Sequence, residues 1–216
     1  MNVTSPDPTT PRRRSAGEDP AKREAILQGA AQVFLESGFD AASMNDICRA
    51  AGVSKSTLYV YFTSKEDLFE RLVAIKGDKL IMGLEGTLRG DGPCAQKLRD
   101  FSYALSRILC SDEVIRAQRT VISMAERMPE LSDRFYEGGA ARAQKVLAGF
   151  LEAEVTEGSL TIPDIALATY QLIELATAGL WRPRLFGKIT DPPDEGRLRL
   201  GCDSAVAMFL RAYSAR

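Results

Sequence analysis

Histidine is absent from all 216 residues. That excludes Ser-His-Asp and Cys-His nucleophile arrangements and any metal site with an imidazole ligand. Cys48, Cys94, Cys110 and Cys202 are scattered with no CxxC pair, which argues against structural zinc and against a disulfide framework. Cys48 falls on the apolar side of its expected helix and reads as a small core residue, while the other three are open to packing or to oxidant sensing. Net charge is −1, so no global attraction to nucleic acid exists and DNA binding would have to rest on locally placed cations. No apolar run reaches membrane-spanning length; Ile165 to Trp181 comes nearest and is interrupted by Gln171 and Glu174. The first twenty residues hold no apolar segment of the secretory kind, so a cytoplasmic protein with no membrane partner is expected. A nucleotide-binding glycine loop and a metal-ligand cluster are also missing, and acids are spread along helix faces. An enzyme is therefore the weaker reading, a pure protein-interaction module is a further alternative, and no cofactor or metal is expected.

What is present is an ordinary globular composition, 45% hydrophobic and 26% charged, long enough for one large or two small domains. The stretch 1–20 is rich in Pro, Thr, Ser and charge and reads as a disordered basic arm. Ile26, Ala30, Val33 and Phe34 then mark an amphipathic helix from Ala21 to near Gly38. A helix starting at Ser64 runs through Leu68, Leu72 and Ile75 past Met82 to a loop at Gly86, Gly90, Gly92 and Pro93. Leu98, Phe101, Leu105, Ile108 and Leu109 form the next stripe, followed by Val114, Ala117, Val121 and Met124, which Pro129 stops. One long helix is expected from Leu131 to Glu157, with Gly138-Gly139 as its weak point. Asp164 opens another, carrying Ile165, Ala168, Leu172, Ala176 and Gly179 on one side. Pro183 and Pro192-Pro193 bracket a loop before a last helix from Leu198 to Tyr213. No segment alternates as a strand does, so the fold class is all-α.

The densest signal is SMNDICRAAGVSKSTLYVYFTSKEDLF, from Ser43 to Phe69. Ser43 can cap a helix whose apolar side is Met44, Ile47, Cys48 and Ala51. Gly52 supplies the turn, where a left-handed backbone is cheap. Ser54 can cap a short second helix with Leu58 and Phe62 as buried candidates, and Ser64 with Asp67 has capping-box spacing for the third. Two helices joined by a glycine turn, the second rich in small donors, tyrosines and a lysine, fit the helix-turn-helix. The run Ile47 to Phe62 and Ser64-Lys65-Glu66-Asp67-Leu68 resembles the TetR family of transcriptional regulators in register over many residues. Lys55, Ser56 and Thr57, with Ser54 capping them, are the candidates for base edges or nearby phosphates in a major groove about 12 Å wide. Ser43 and Lys65 are placed for phosphates. Tyr59 and Tyr61 can donate to phosphate oxygens, and the resemblance implies backbone contacts at Tyr59, Tyr61 and Lys65. Ser56 departs from the glycine of many family members and adds one hydroxyl. Arg12 to Arg14 either solubilise the arm or grip a minor groove, as basic arms do.

The resemblance divides the chain into a helix-turn-helix domain at 21–70 and an effector-binding and dimerisation domain at 71–216. The stretches Arg116-Ala117-Gln118-Arg119 through Leu131 and Phe135 to Gly139 look like a common subgroup of TetR C-terminal domains. The small residues between Ile165 and Leu180, with Leu198, Ala205, Phe209 and Leu210, suggest a two-fold four-helix interface. Tyr170, Gln171, Glu174 and Thr177 on the other side of that helix could orient a ligand in a pocket lined by Phe101, Leu105, Val121, Met124 and Phe150. Glu174, if buried, would need a cationic partner, either an effector or an arginine such as Arg119 or Arg142. The expected function is that of a homodimeric TetR-type repressor on a palindromic double-stranded operator, released by a small-molecule effector. A TetR-fold activator or ligand-independent regulator is the alternative.

Overall fold

Eleven helices make up the described part of the computed structural model, residues 19–215; the arm with Arg12, Arg13 and Arg14 lies outside it. Helix α1 spans Pro20–Ala41, and Asp19 caps it by accepting from the N–H of Ala21 at 3.0 Å. Its regular part ends at Gly38, where φ of +77° turns the chain so that Phe39 points back into the core. Helix α2 spans Met44–Ala51 under a Ser43 cap and stops at Gly52, whose φ of +66° is the left-handed C-cap conformation. Helix α3 is Lys55–Tyr61, capped by Ser54. Helix α4, Lys65–Leu88, starts with a reciprocal box: Ser64 Oγ accepts from the Asp67 N–H at 3.2 Å, and Asp67 accepts from the Thr63 N–H at 2.9 Å.

The chain divides into two compact units between Leu72 and Val73, inside α4. The first unit closes on Ile26, Leu27, Ala30, Ile47, Leu58, Phe62 and Leu68, all buried. Phe34, Phe39 and Phe69 add an aromatic triangle with centroids 5.1 to 5.9 Å apart. At Gly29 a Cβ would stand 2.7 Å from the Ala51 nitrogen, so α1 and α2 meet backbone to backbone.

In the second unit, α5 (Cys94–Leu109), α8 (Ala140–Thr156), α9 (Ile165–Ala176) and α11 (Glu195–Tyr213) surround the main core with the end of α4. Leu84, Leu98, Phe101, Leu147, Leu151, Leu172, Val206 and Phe209 fill it, and each such side chain stabilises by about 1.5–3 kcal/mol on burial. Helices α6 (Asp112–Met124), α7 (Pro129–Gly138) and α10 (Trp181–Leu185) complete the order.

Several boundaries differ from the sequence expectation. Pro129 starts α7 at its first position instead of stopping a helix, because a missing N–H costs nothing there. The long helix from Leu131 is broken at Gly139 (φ −114°, ψ −84°) into α7 and α8. Gly86 stays inside α4, Pro183 lies within α10, and Gly179 falls beyond the end of α9. The last helix begins at Glu195 because Asp194 caps it through the Arg197 N–H at 2.8 Å. Among the described residues the one extended pairing is the bridge Leu160–Ser214.

The proposed dimer stripe requires correction. Ala168, Ala176, Leu198, Ala205 and Phe209 are buried inside the single chain, so they cannot also cover a second one. The outward apolar residues of α9 and α11 are Leu167, Tyr170, Leu200 and Met208.

Candidate nucleic-acid interface and effector region

Seven residues give α3 a length of about 10 Å, short enough to lie in a major groove about 12 Å wide. One side holds it: Leu58 is fully buried, and Phe62 ends it in extended conformation. The other side carries Lys55, Ser56, Tyr59 and Val60, all exposed, with Tyr59 at 46% and Val60 at 49%. The spacing of four pairs Lys55 with Tyr59 and Ser56 with Val60 on adjacent rows. Val60 was missed by sequence reasoning; its signal was an apolar residue one turn beyond Ser56, suited to a thymine methyl.

The hydroxyls at the start of α3 form a cluster. Ser54 Oγ accepts from the Thr57 N–H at 3.1 Å and lies 2.9 Å from Ser56 Oγ and 2.8 Å from Thr57 Oγ1. Ser54 is thereby occupied in capping, whereas Ser56 retains free hydrogen-bonding capacity at an exposed position. Lys55 has no hydrogen-bond or ion-pair partner among the described residues, which leaves its charge for a phosphate or base. Ser43 caps α2 and donates to Asp46 at 2.5 Å. That hydrogen bond is the main reason the Asp46 carboxyl titrates below its ordinary range; desolvation opposes it, and the Arg49 guanidinium adds to it.

Tyr61 and Lys65 are tied into the protein yet keep a donor each. Tyr61 Oη accepts from the Asp19 N–H at 3.2 Å, so its own proton remains to donate. Lys65 Nζ donates to the carbonyls of Phe39 at 2.8 Å and Asp40 at 3.3 Å, and one of its three protons is left over.

The expected effector residues are brought together only in part: Phe101 and Leu105 share the main core with Phe150 packed against it, and Val121 and Met124 do not belong to that cluster. Phe101, Leu105, Val121 and Met124 are buried, and Phe150 is half-buried with the Lys97 ammonium 5.8 Å from its ring. Tyr170 and Glu174 are exposed. Tyr170 lines a shallow depression of about 330 Å³ with Tyr136, Gln144, Lys145 and Thr169, and the Tyr136 hydroxyl beside it pushes its phenol pKa up. Glu174 pairs with Arg182 at 2.7 Å in solvent, which removes the ground for a buried carboxylate facing a cationic effector. Arg119 instead donates to the carbonyls of Arg184 and Leu185, and Arg142 pairs with Asp78. Among the described residues no group of His, Cys, Asp and Glu is arranged to hold a metal ion, and no helix is long and apolar enough to cross a membrane.

Known proteins match both halves. Residues 26–72 fit the model of bacterial regulatory proteins of the tetR family, and residues 96–215 fit the AefR-like transcriptional repressor C-terminal domain. The HTH-type transcriptional activator FasR of Mycolicibacterium smegmatis is 37% identical over 78 residues, which are 36% of this chain and 36% of FasR. The match to that curated relative thus spans about a third of its length. A TetR-family transcriptional regulator structure from Mesorhizobium loti superposes with TM-score 0.84 at 27% identity, covering 92% of this chain and 100% of the other. The flavonoid-responsive regulator FrrA superposes with TM-score 0.74 at 30% identity over the same shares.

Proposed function

This chain belongs to the TetR family and is a TetR-type transcriptional regulator, and from that premise we propose that it is a homodimeric repressor released from its operator by a small molecule. The observation that carries the DNA-binding part is the exposed row of Lys55, Ser56, Tyr59 and Val60 on a helix anchored by Ser54 and Leu58. Two copies would set two α3 helices into successive major grooves about 34–36 Å apart on a pseudo-palindrome. Lys55 and Ser56 meet base edges or phosphates there. Ser43, Ser54, Thr57, Tyr59, Tyr61 and Lys65 hold the helices and the flanking backbone.

The outward residues Leu167, Leu200 and Met208 on α9 and α11 support the dimer, since TetR regulators bind DNA as dimers and these apolar side chains have no cover in one chain. The AefR-like match supports repression, and FrrA, flavonoid-responsive by description, supports an aromatic effector. Phe101 and Leu105, with Phe150 at their margin, are the apolar region that such an effector would open, while Val121 and Met124 are buried on α6 and Tyr170 and Glu174 lie outside it. The boundary of the two units lies within α4, so a shift of that helix changes the spacing of the recognition helices. A coupling of about 1–3 kcal/mol is enough for a switch. The function is regulatory rather than enzymatic and cytoplasmic on this reading. FasR, an activator alike over its matched 78 residues, favours activation as the second reading, because the sign depends on where the operator lies.

The test is selection of binding sites from a random duplex library by the full-length protein, followed by mobility-shift titration. A palindromic site bound by a dimer is expected, and Tyr59→Ala should weaken it by tenfold or more (about 1.4 kcal/mol or more) without changing sedimentation. Unchanged binding by that variant rejects the assignment of α3, and aromatic compounds that never release the complex reject the effector class.

A further inference from the structure

Two serines one turn apart on α5 are both buried, and only one is paired. Ser106 donates its hydroxyl to the Ala176 carbonyl at 2.9 Å and accepts from the Cys202 thiol at 3.6 Å. Ser102, 1% exposed, has a hydroxyl oxygen with no hydrogen-bond partner, the one such buried side-chain atom among the described residues. A hydroxyl taken from water and left unpaired destabilises a fold, and such groups are rare enough that each calls for a reason.

Helix register shows what surrounds it. Cys110, just past α5, clusters with Leu180 and Leu198. One turn earlier Ser106 meets Ala176 and Cys202. The chain through α9 therefore runs parallel to α5, and α11 runs antiparallel to it. The pairing of Arg99 with Asp203 and the Arg199 guanidinium over the Tyr103 ring repeat the antiparallel order. The next step of four combines Ser102 with Leu172 and Val206, both buried in the main core. Along α5 the neighbours of Ser102 on the same face are Leu98 and Leu105, which belong to that core too. Its hydroxyl is thus the polar group of an apolar region. On the facing helices Ala168, Ala176 and Ala205 leave little side chain for an entering ring to displace.

Resting on the small-molecule reading above, we infer that Ser102 is the hydrogen-bonding anchor of the effector site. The ligand is an aromatic molecule with a hydroxyl or carbonyl oxygen at its buried end. That oxygen pairs with Ser102 Oγ while the ring lies against Phe101 and Leu105. A serine hydroxyl both donates and accepts, so it takes either group. A hydrocarbon of the same shape leaves the hydroxyl unpaired, and the site thereby favours polar aromatics.

The experiment compares the full-length protein with Ser102→Ala, using probe pairs in which a methyl replaces a hydroxyl: naphthol with methylnaphthalene, and hydroxybiphenyl with methylbiphenyl. Binding is read by calorimetry, and release by mobility shift on the operator selected from a random library. The ratio of hydroxyl to methyl affinity should fall about five- to tenfold in Ser102→Ala, with affinity for the methyl probe and the operator kept. Without ligand, Ser102→Ala should melt about 2–4 °C higher, since an unpaired group is removed, whereas Ser106→Ala should melt lower because it abandons a formed bond. A lower melting temperature for Ser102→Ala overturns the inference, and so does a hydroxyl-to-methyl ratio unchanged by the substitution. Probes that release the operator with that ratio unchanged keep the aromatic effector and reject the anchor. If no probe binds, the effector class falls and the anchor with it.

Discussion

The Lys65 ammonium lies 4.4 Å from the centroid of the Phe39 ring and donates to the carbonyl oxygen of the same residue at 2.8 Å. One lysine at the start of α4 thus holds down the end of α1 through both a ring face and a carbonyl. Lys65→Ala should lower unfolding free energy by about 1–2 kcal/mol, measured by urea titration. It should also make the salt dependence of operator binding shallower by about one phosphate contact. Loss of affinity without loss of stability would show that the intramolecular contacts carry no weight.

Gly29 and Gly83 make a matched pair of tests. A Cβ on Gly29 would meet Ala51 backbone at 2.7 Å, whereas one on Gly83 would meet nothing within 4 Å. Gly29→Ala should cost about 1–3 kcal/mol and weaken operator binding by tilting α2 and α3 away from α1. Gly83→Ala, inside α4, should stabilise by up to about 1 kcal/mol. Thermal unfolding of the two variants decides both, and equal shifts would reject the close approach of α1 to α2.

Arg184 is 2% exposed. It donates to the Cys110 carbonyl at 3.1 Å, to the Thr190 carbonyl, and to Asp112 at 2.6 Å. Arg184→Met leaves the carbonyls at Cys110 and Thr190 without this donor and should destabilise by about 3 kcal/mol. Asp112→Asn should cost much less, because that carboxylate is half in solvent. Denaturant midpoints of the two variants test the order.

Burial, with the Glu154 carboxylate beside it, pushes the Cys94 thiol up to about 12, and burial pushes Cys110 up to about 11 against the opposing effect of Arg184. Well below pH 8 both thiols are protonated folded or unfolded. Above it, the unfolded chain releases protons that the fold retains, so stability falls as pH rises from about 9 toward 12. Urea midpoints should decline over that window and decline less in Cys94→Ser. At pH 8, iodoacetamide should modify Cys94 and Cys110 far more slowly in the folded protein than in urea. Equal alkylation rates in the two states would refute the burial of these thiols.

The DNA-binding half was legible in the chain because its signals are local. Ser43, Ser54 and Ser64 each accept from a backbone N–H three residues on, and Gly52 is the residue whose backbone tolerates the turn. Those bonds form within a few residues, so no distant partner is needed to foresee them. The same locality made the Asp164 cap visible, through the Leu167 N–H at 2.9 Å.

Beyond such caps the sequence was ambiguous, and packing decided. Periodicity put Ala168, Leu172 and Ala176 on one side of α9, but it did not say whether a second chain or the chain's own core covers that side. The tertiary core took Ala168, Leu172 and Ala176, leaving Leu167 and Tyr170 outside. Whether Gly138-Gly139 bends or continues a helix depends on what α7 and α8 pack against, since glycine permits either. Nothing local in the sequence marked Arg184 as buried, because the carbonyls and carboxylate that hold it come from positions up to 74 residues away. Short-range hydrogen bonding made the helix-turn-helix readable from sequence; competition among faces for one core, which no single segment encodes, was settled only in three dimensions.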